Sequence, residues 1–192
     1  MPEDRVVTVP NLVTLARLLC LPLFLWLLLS RDDRVGAAVL LAALGATDWV
    51  DGWLARRLGQ VSTVGKVLDP TVDRILFLVV LVAVLADGAV PLVVAWTALL
   101  REAVVAVAAL VLAGLGARRI DVTWVGKAGT FGLMCTLPLF LAASSTVGWR
   151  DQARVLAWCA AVPSLALSWW AAAGYVPQAR SALAEGRVGA AR

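Results

Sequence analysis

The sequence predicts an all-α integral membrane protein with six transmembrane helices and both termini in the cytoplasm. Three observations support this class: the composition, the six long apolar segments, and the placement of basic residues between those segments. Of the 192 residues, 61% are hydrophobic and 16% are charged, whereas soluble domains are about 45–50% apolar and about 25% charged. One soluble core of this size cannot hide so much apolar surface, so we expect much of it to face lipid.

Each apolar segment is about long enough to cross the roughly 30 Å hydrocarbon core of a bilayer. The segments cover 11–29, 36–55, 67–86, 90–114, 123–147 and 153–174. No small-x-small cleavage site follows the first segment, so we interpret it as a retained helix rather than a signal peptide. We therefore expect a membrane domain over 1–175 and a polar cytoplasmic tail over 176–192.

The basic residues predict the orientation, because cytoplasmic loops carry an excess of Lys and Arg. With the N-terminus inside, the inside regions hold ten of these residues and the outside loops hold four. The inside set is Arg5, Arg56, Arg57, Lys66, Arg118, Arg119, Lys127, Arg180, Arg187 and Arg192, and the outside set is Arg31, Arg34, Arg150 and Arg154. The net charge of +4 is thus explained by the membrane, and no basic tract with interleaved aromatic residues indicates nucleic acid.

Missing residue types exclude several chemistries. The chain has no histidine, which excludes Ser-His-Asp triads and HExxH zinc sites. Cys20, Cys135 and Cys159 lie far apart in apolar segments, which is typical of core packing rather than of metal or redox sites. Catalysis must therefore depend on carboxylates, arginines, lysines, the backbone, or a metal held by oxygen ligands.

Charged residues inside the predicted spans are the main functional signal. An ionised group near the bilayer centre costs on the order of 3 kcal/mol, so such residues usually face a bundle interior and have a function. The basic members are Arg17, Arg74 and Arg101, and the acidic members are Asp48, Asp51, Asp69, Asp73 and Glu102. The four aspartates fall within 26 residues of one another, across the second and third spans.

The four aspartates form two pairs with helical spacing. Asp48 and Asp51 are three residues apart, and Asp69 and Asp73 are four apart, so each pair lies on one face of its helix. A short loop joins the two spans, which makes them antiparallel neighbours and lets the pairs converge. Clustered carboxylates repel one another unless protons or cations intervene, and oxygen ligands suit Mg²⁺ or Mn²⁺. Two such ions about 3.5–4 Å apart are a common arrangement for displacement at phosphorus.

The residues around the aspartates suit a ligand that contains phosphate. Gly52 and Ala55 let a ligand approach the helix backbone, and Gly65 leaves space at the start of the third helix. Arg56 provides a fork of N–H donors for a phosphate.

These residues form a motif of eight fixed residues over 26 positions, from Asp48 to Asp73. It reads D-x-x-D-G-x-x-A-R, then eight residues, then G-x-x-x-D-x-x-x-D, and it resembles the motif of the CDP-alcohol phosphatidyltransferases at every fixed position. Three further stretches resemble the phosphatidylglycerophosphate synthase and cardiolipin synthase branch of that family. They are Pro10 to Arg17, the pair Arg101-Glu102 and the pair Gly126-Lys127.

The resemblance implies a six-helix enzyme of phospholipid biosynthesis with a polar active-site cavity between the helices, open to the cytosol. Members transfer a phosphatidyl group from CDP-diacylglycerol to an alcohol and release CMP, with two divalent cations, Mg²⁺ or Mn²⁺. The family often forms dimers, so a homodimer is expected. The Arg-over-Lys and Ala-rich bias is typical of a bacterium with a GC-rich genome, which indicates the plasma (inner) membrane.

The same resemblance assigns roles by motif position. The expected metal ligands are Asp48, Asp51, Asp69 and Asp73, and Asp73 is also the expected general base. The expected CDP-binding residues are Asp48, Gly52, Ala55, Arg56 and Gly65. The cationic residues expected at the acceptor are Arg17, Arg101 and Lys127.

The acceptor remains open, with glycerol 3-phosphate as the leading expectation and phosphatidylglycerol as the alternative. Inositol phosphate, serine or another alcohol are the remaining candidates. Relatives that use glycerol 3-phosphate tend to carry further basic residues after the Arg-Glu and Gly-Lys pairs. Here Ala103–Leu112 and Ala128–Thr130 carry none, which favours phosphatidylglycerol. The small residues Gly126, Gly129 and Gly132 fit either a wider cavity for a second lipid or close helix packing.

A different functional class, a cation or proton transporter, also places carboxylates inside a helix bundle. Such a transporter does not require Gly52, Ala55, Arg56 and Gly65 at these spacings, so the motif favours the transferase.

Overall fold

The computed structural model describes residues 9–58, 65–114 and 123–190, and the side chains of 14–47, 71–111, 114 and 123–174. Within these ranges the chain is helical, which confirms the all-α prediction. The helices are α1 (Val9–Leu25), α2 (Arg34–Leu58), α3 (Gly65–Asp87), α4 (Leu92–Gly114), α5 (Trp124–Ala143) and α6 (Arg150–Ala190). Each predicted apolar segment coincides with one helix, and most ends agree to within a few residues.

The last helix is longer than its apolar segment. It covers 41 residues and continues to Ala190, through the stretch that the sequence indicates as a polar tail. Alanine and arginine, both of which favour helix, supply six of the 15 residues from 176 to 190, and the helix continues although Pro177, Gly186 and Gly189 do not favour it. The division into a domain over 1–175 and a tail over 176–192 stays a prediction.

A short polar connection separates α1 from α2. A π-helical turn, Trp26–Ser30, extends α1, and Asp32 then adopts a left-handed backbone with φ of +53°, which aspartate tolerates better than most residues. The Asp33 side chain accepts a 2.8 Å hydrogen bond from the Gly36 amide. Asp33 is therefore the N-cap that starts α2.

The structure contains helices that match a bilayer. In the described part of the chain, three segments are long and apolar enough to cross a membrane: Leu92–Val111, Trp124–Ala143 and Arg150–Gly174. Thr14–Ser30 and Arg34–Thr47 are shorter apolar segments. These features are those of a membrane protein, while the count of six spans and the placement of the termini stay predictions.

One side of α4 exposes an apolar stripe along the whole helix. From Val93 to Leu110 its members recur at intervals of three or four residues, and an adjacent residue joins them at each end. Each is between 43% and 73% exposed: Leu92, Val93, Trp96, Leu100, Val104, Val107, Leu110 and Val111. Water-soluble monomers rarely expose so large a continuous apolar surface. The stripe is therefore suited to contact with lipid.

The chain divides into two compact units. The first contains α1, α2, α3 and Met134–Ala157, and the second contains Leu92–Leu133 and the chain from Trp158 onward. In the first unit α1 packs against both α2 and α3, and Phe24, Phe77 and Leu141 are at most 2% exposed. In the second unit the most buried side chains are small, such as Ala95 and Ala161.

Arg34 joins three helix ends of the first unit. Its Nε donates to Asp87 Oδ2 over 3.0 Å, and its Nη1 donates to the Ser144 carbonyl over 2.9 Å. The Ser144 hydroxyl in turn donates to the Ala89 carbonyl over 3.1 Å. We call the contacts of Arg34 with Asp87 and Ser144 the Arg34 clamp. The clamp joins the start of α2 to the end of α3, which agrees with the antiparallel arrangement predicted for these two helices.

We expect Arg34→Met to lower the stability of the folded protein. The Asp87 side chain is 7% exposed, and removal of the guanidinium leaves a buried carboxylate without this partner. Because Arg34 itself is about one-third exposed, we expect a loss of about 2 kcal/mol, below the usual cost of breaking a fully buried pair. That loss corresponds to a fall of about 6 °C in Tm, measurable by thermal unfolding in detergent.

The control for this measurement is Arg154→Met. The Arg154 side chain is 59% exposed and lies 4.0 Å from the exposed Asp151, so the same substitution there should change Tm by less than about 1 °C. Equal shifts for the two variants would contradict a stabilising role for the Arg34 clamp.

Candidate active site

The Arg34 clamp fixes the register of the two aspartate-bearing helices. Asp48 lies 14 residues after Arg34, and Asp73 lies 14 residues before Asp87. With a rise of 1.5 Å per residue, both positions are about 21 Å along their helices from the clamp. Asp51 and Asp69 lie about one turn further, at about 26 Å and 27 Å. The two predicted pairs thus lie at matching distances from the clamp along α2 and α3, and their convergence into one site stays a prediction.

The backbone of the predicted motif is helical on both sides of the loop. α2 continues unbroken from Asp48 to Leu58, and α3 begins at Gly65, the glycine predicted to open it. The side chains of seven predicted site residues lie outside the described set: Asp48, Asp51, Gly52, Ala55, Arg56, Gly65 and Asp69. Their roles stay predictions that depend on the sequence and on the helix register.

Asp73 is the motif aspartate whose side chain the structure describes, and Arg17 contacts it. Arg17 Nη1 donates to Asp73 Oδ1 over 2.8 Å. The Arg17 side chain is 5% exposed, and the Asp73 side chain is 34% exposed. A carboxylate in the apolar α3 is thus paired with a buried cation and remains accessible to a ligand.

Arg101 is buried in the second unit and is bound to protein groups. Its Nη1 donates to Glu102 Oε1, and its Nε donates to the Ser168 carbonyl over 3.4 Å. Both charged side chains are at most 7% exposed. The structure therefore shows Arg101 and Glu102 as a buried ion pair attached to α6.

Lys127 lies in the first turn of α5 and is exposed. The Thr123 hydroxyl accepts a 3.2 Å hydrogen bond from the Gly126 amide and so caps this helix. The Lys127 amide donates to the Thr123 carbonyl over 3.1 Å. The cap places the Lys127 side chain at the helix start, where a soluble ligand can reach it.

The small residues of α5 pack closely against α6. A Cβ built on Gly129 would lie 2.7 Å from the Ser168 amide nitrogen, and one on Gly132 would lie 2.0 Å from the Ser164 hydroxyl. A Cβ on Gly126 would lie 3.2 Å from the Ala171 methyl. Of the two interpretations that the sequence left open for these glycines, the contacts support close helix packing rather than space for a second lipid.

The donor set of the motif fits divalent cations. All four candidate ligands are aspartates, and carboxylate oxygens are preferred ligands of Mg²⁺ and Mn²⁺. Asp73 keeps about one-third of its side-chain surface exposed, so a cation can reach its carboxylate. Among the described side chains no group of three or more candidate metal ligands occurs, and three of the four aspartates lie outside that set.

The structure thus has helices long and apolar enough to cross a bilayer and a buried arginine paired with a partly exposed carboxylate, which are features of a membrane protein with a polar site. The model of the CDP-alcohol phosphatidyltransferase family matches residues 7–172. The chain belongs to this family and is an enzyme, a phosphatidyltransferase of phospholipid biosynthesis. The family is generally dependent on divalent metals.

Similar proteins act in two branches of the family. The chain is 40% identical to the cardiolipin synthase (CMP-forming) of Streptomyces coelicolor, over 92% of this chain and 85% of that protein. It is 33% identical to a putative cardiolipin synthase of Mycobacterium tuberculosis, over 93% and 85%. It is also 32% identical to the CDP-diacylglycerol–glycerol-3-phosphate 3-phosphatidyltransferase of Escherichia coli, over 91% and 96%.

Proposed function

We propose that this enzyme transfers the phosphatidyl group of CDP-diacylglycerol to a hydroxyl of phosphatidylglycerol, forming cardiolipin and releasing CMP. The choice of acceptor rests on the contacts of Arg101, a cation that the resemblance to the family leads us to expect at the acceptor. Its guanidinium is buried and bound to Glu102 and to the Ser168 carbonyl. The similarity to the Streptomyces coelicolor cardiolipin synthase supports the same acceptor.

The burial of Arg101 bears on the acceptor because the two candidate acceptors differ in charge. Glycerol 3-phosphate ends in a phosphomonoester, which carries a charge of about −1.5 to −2 at pH 7 and needs several cations. Phosphatidylglycerol has a phosphodiester with a single charge. Arg17 and Arg101 each contact a carboxylate, and Ala103–Leu112 carries no basic residue. Lys127 is exposed, and its one positive charge matches the single negative charge of a phosphodiester.

Glycerol 3-phosphate is the second candidate acceptor. The similarity to the Escherichia coli enzyme, over 91% of this chain, favours it. For this acceptor, Lys127 would have to be joined by further cations.

The proposed reaction is a direct displacement at phosphorus. The acceptor hydroxyl oxygen forms a bond to the phosphatidyl phosphorus, and the bond from that phosphorus to the bridging oxygen of CMP breaks. Asp73 takes the hydroxyl proton as general base, and CMP leaves with the electron pair of the broken bond. With no histidine in the chain, a carboxylate is the fitting base.

The other motif residues bind the substrate in this proposal. Two Mg²⁺ or Mn²⁺ ions, held by Asp48, Asp51, Asp69 and Asp73, would neutralise charge on the pyrophosphate and stabilise the leaving group. Asp48 also contacts the CDP moiety. Gly52, Ala55 and Gly65 allow it to approach the backbone, and Arg56 binds its phosphates.

The proposed setting of the enzyme follows from the same arguments. It crosses the plasma (inner) membrane six times with both termini in the cytoplasm, and its active site is open to the cytosol. The membrane domain extends over 1–175 and the polar tail over 176–192. We also propose a homodimer.

The test of this function is CMP release from CDP-diacylglycerol by purified protein in detergent with Mn²⁺ or Mg²⁺. Phosphatidylglycerol and glycerol 3-phosphate are supplied in separate reactions, and parallel reactions with EDTA are the blanks. We expect metal-dependent CMP release with phosphatidylglycerol and little with glycerol 3-phosphate.

Two other outcomes of this assay would change the proposed acceptor. CMP release with glycerol 3-phosphate alone would replace the lead acceptor by the second candidate. If neither acceptor supports metal-dependent CMP release, the family assignment would stand and the acceptor would be another alcohol, such as inositol phosphate or serine.

A further inference from the structure

Arg17 lies inside the first unit and cannot easily serve an incoming substrate. Its side chain is 5% exposed, and Thr14, one turn earlier in α1, is 1% exposed. An arginine that reached along its helix to the membrane surface would leave its guanidinium in water. The guanidinium of Arg17 instead ends at the Asp73 carboxylate, 2.8 Å away.

The burial differs between the two partners of this ion pair. Arg17 is almost fully covered, while Asp73 keeps 34% of its side-chain surface exposed. The carboxylate is thus the accessible partner, and the guanidinium lies behind it. An acceptor that bound Arg17 directly would have to displace Asp73 and uncover a buried cation, and buried ion pairs are costly to break.

We propose that Arg17 is a positioning residue for Asp73 rather than a ligand of the acceptor. This inference rests on the function proposed above, in which Asp73 is the general base. Arg17 comes from α1, which packs against α3, so the ion pair fixes the side chain of Asp73 across a helix contact. A base that is already oriented needs no reorganisation when the hydroxyl proton is transferred.

A kinetic test separates positioning of Asp73 from binding of the acceptor, because the first role affects kcat and the second affects the KM for the acceptor. With CDP-diacylglycerol and Mn²⁺ saturating and the acceptor varied, we expect Arg17→Met to lower kcat about 100-fold, because small misplacements of a reacting group have effects of this size. The KM for the acceptor should stay within about twofold of wild type. Arg17→Lys should recover part of kcat, because an ammonium group can still donate to Asp73.

The control variant is Arg31→Met. Arg31 is an exposed arginine stacked over the Trp26 ring at 4.6 Å, and its substitution should leave both constants unchanged. A raised KM for the acceptor with unchanged kcat in Arg17→Met would overturn the proposal in favour of acceptor binding. Unchanged kcat and KM in that variant would overturn it as well.

A second measurement requires no substrate and no metal. Thermal unfolding in EDTA is compared for wild type, Arg17→Met, Asp73→Asn and the double variant. If the ion pair forms in solution, the double variant should lose clearly less Tm than the sum of the two single losses. Additive losses would show that the residues are not coupled and would overturn the proposal.

The two measurements also separate this inference from the proposed function. Wild-type protein that releases no CMP with any acceptor would contradict the proposed function. The unfolding cycle would still show whether Arg17 holds Asp73.

Discussion

Asp73→Asn is expected to lower kcat for CMP release about 1,000-fold or more, which lies within the usual contribution of a general base. Asparagine has nearly the same shape as aspartate, but it cannot accept the hydroxyl proton and is a weaker ligand for a divalent cation. The measurement is CMP release at saturating CDP-diacylglycerol, acceptor and Mn²⁺.

This variant needs a stability control, because Asp73 also neutralises the buried Arg17. The rates must therefore be compared well below the Tm of the variant, on protein shown to be monodisperse. The matched variant is Asp151→Asn, which makes the same substitution at a carboxylate that is 78% exposed and should keep wild-type activity. Folded Asp73→Asn protein with more than about one-tenth of wild-type kcat would contradict a general-base role.

The second large effect is expected for Gly129→Val. The added Cβ would lie 2.7 Å from the Ser168 amide nitrogen and 3.0 Å from the Ser168 Cα, and backbone atoms cannot rotate away. α5 and α6 must separate, so we expect a loss of about 3 kcal/mol, at the upper end of typical overpacking costs. This loss corresponds to a fall of about 10 °C in Tm, measured by thermal unfolding in detergent.

Gly45→Val is the matched control for this helix contact. Gly45 lies inside α2, and a Cβ there would meet no described atom within 4 Å, so its Tm should stay within about 2 °C of wild type. If the two valine variants unfold at the same temperature, the close packing of Gly129 on Ser168 does not contribute to stability as inferred.

The length of the apolar segments was sufficient to predict the helices, because a bilayer fixes how long an apolar segment must be. The short loop between the second and third spans predicts an antiparallel α2–α3 hairpin, and the contact of Arg34 with Asp87 agrees with it. The sequence could not show the Arg34 clamp, because Ser144 is 110 residues from Arg34 and no periodic pattern connects the two. Arg34 was expected only as a charge in an outside loop.

The candidate site was predictable in its residue types but not in its contacts. The spacing of the aspartates indicates a site, and the structure adds that Arg17 contacts Asp73. The sequence also left the role of Gly129 open, because a small residue permits both a cavity and a close helix contact. Only the position of Ser168 distinguishes these possibilities. For Arg101 the structure adds the contacts with Glu102 and the Ser168 carbonyl, and its role at the acceptor stays a prediction.

The apolar stripe of α4 has a consequence for the membranes in which the enzyme is assayed. α4 contains 23 residues, Leu92–Gly114, which gives a length of about 35 Å, somewhat more than the roughly 30 Å of the hydrocarbon core. A helix of this length fits a typical bilayer with a modest tilt, and a thinner bilayer would force it to tilt further. Acyl-chain length in reconstituted vesicles is therefore a variable to hold constant whenever two acceptors or two variants are compared.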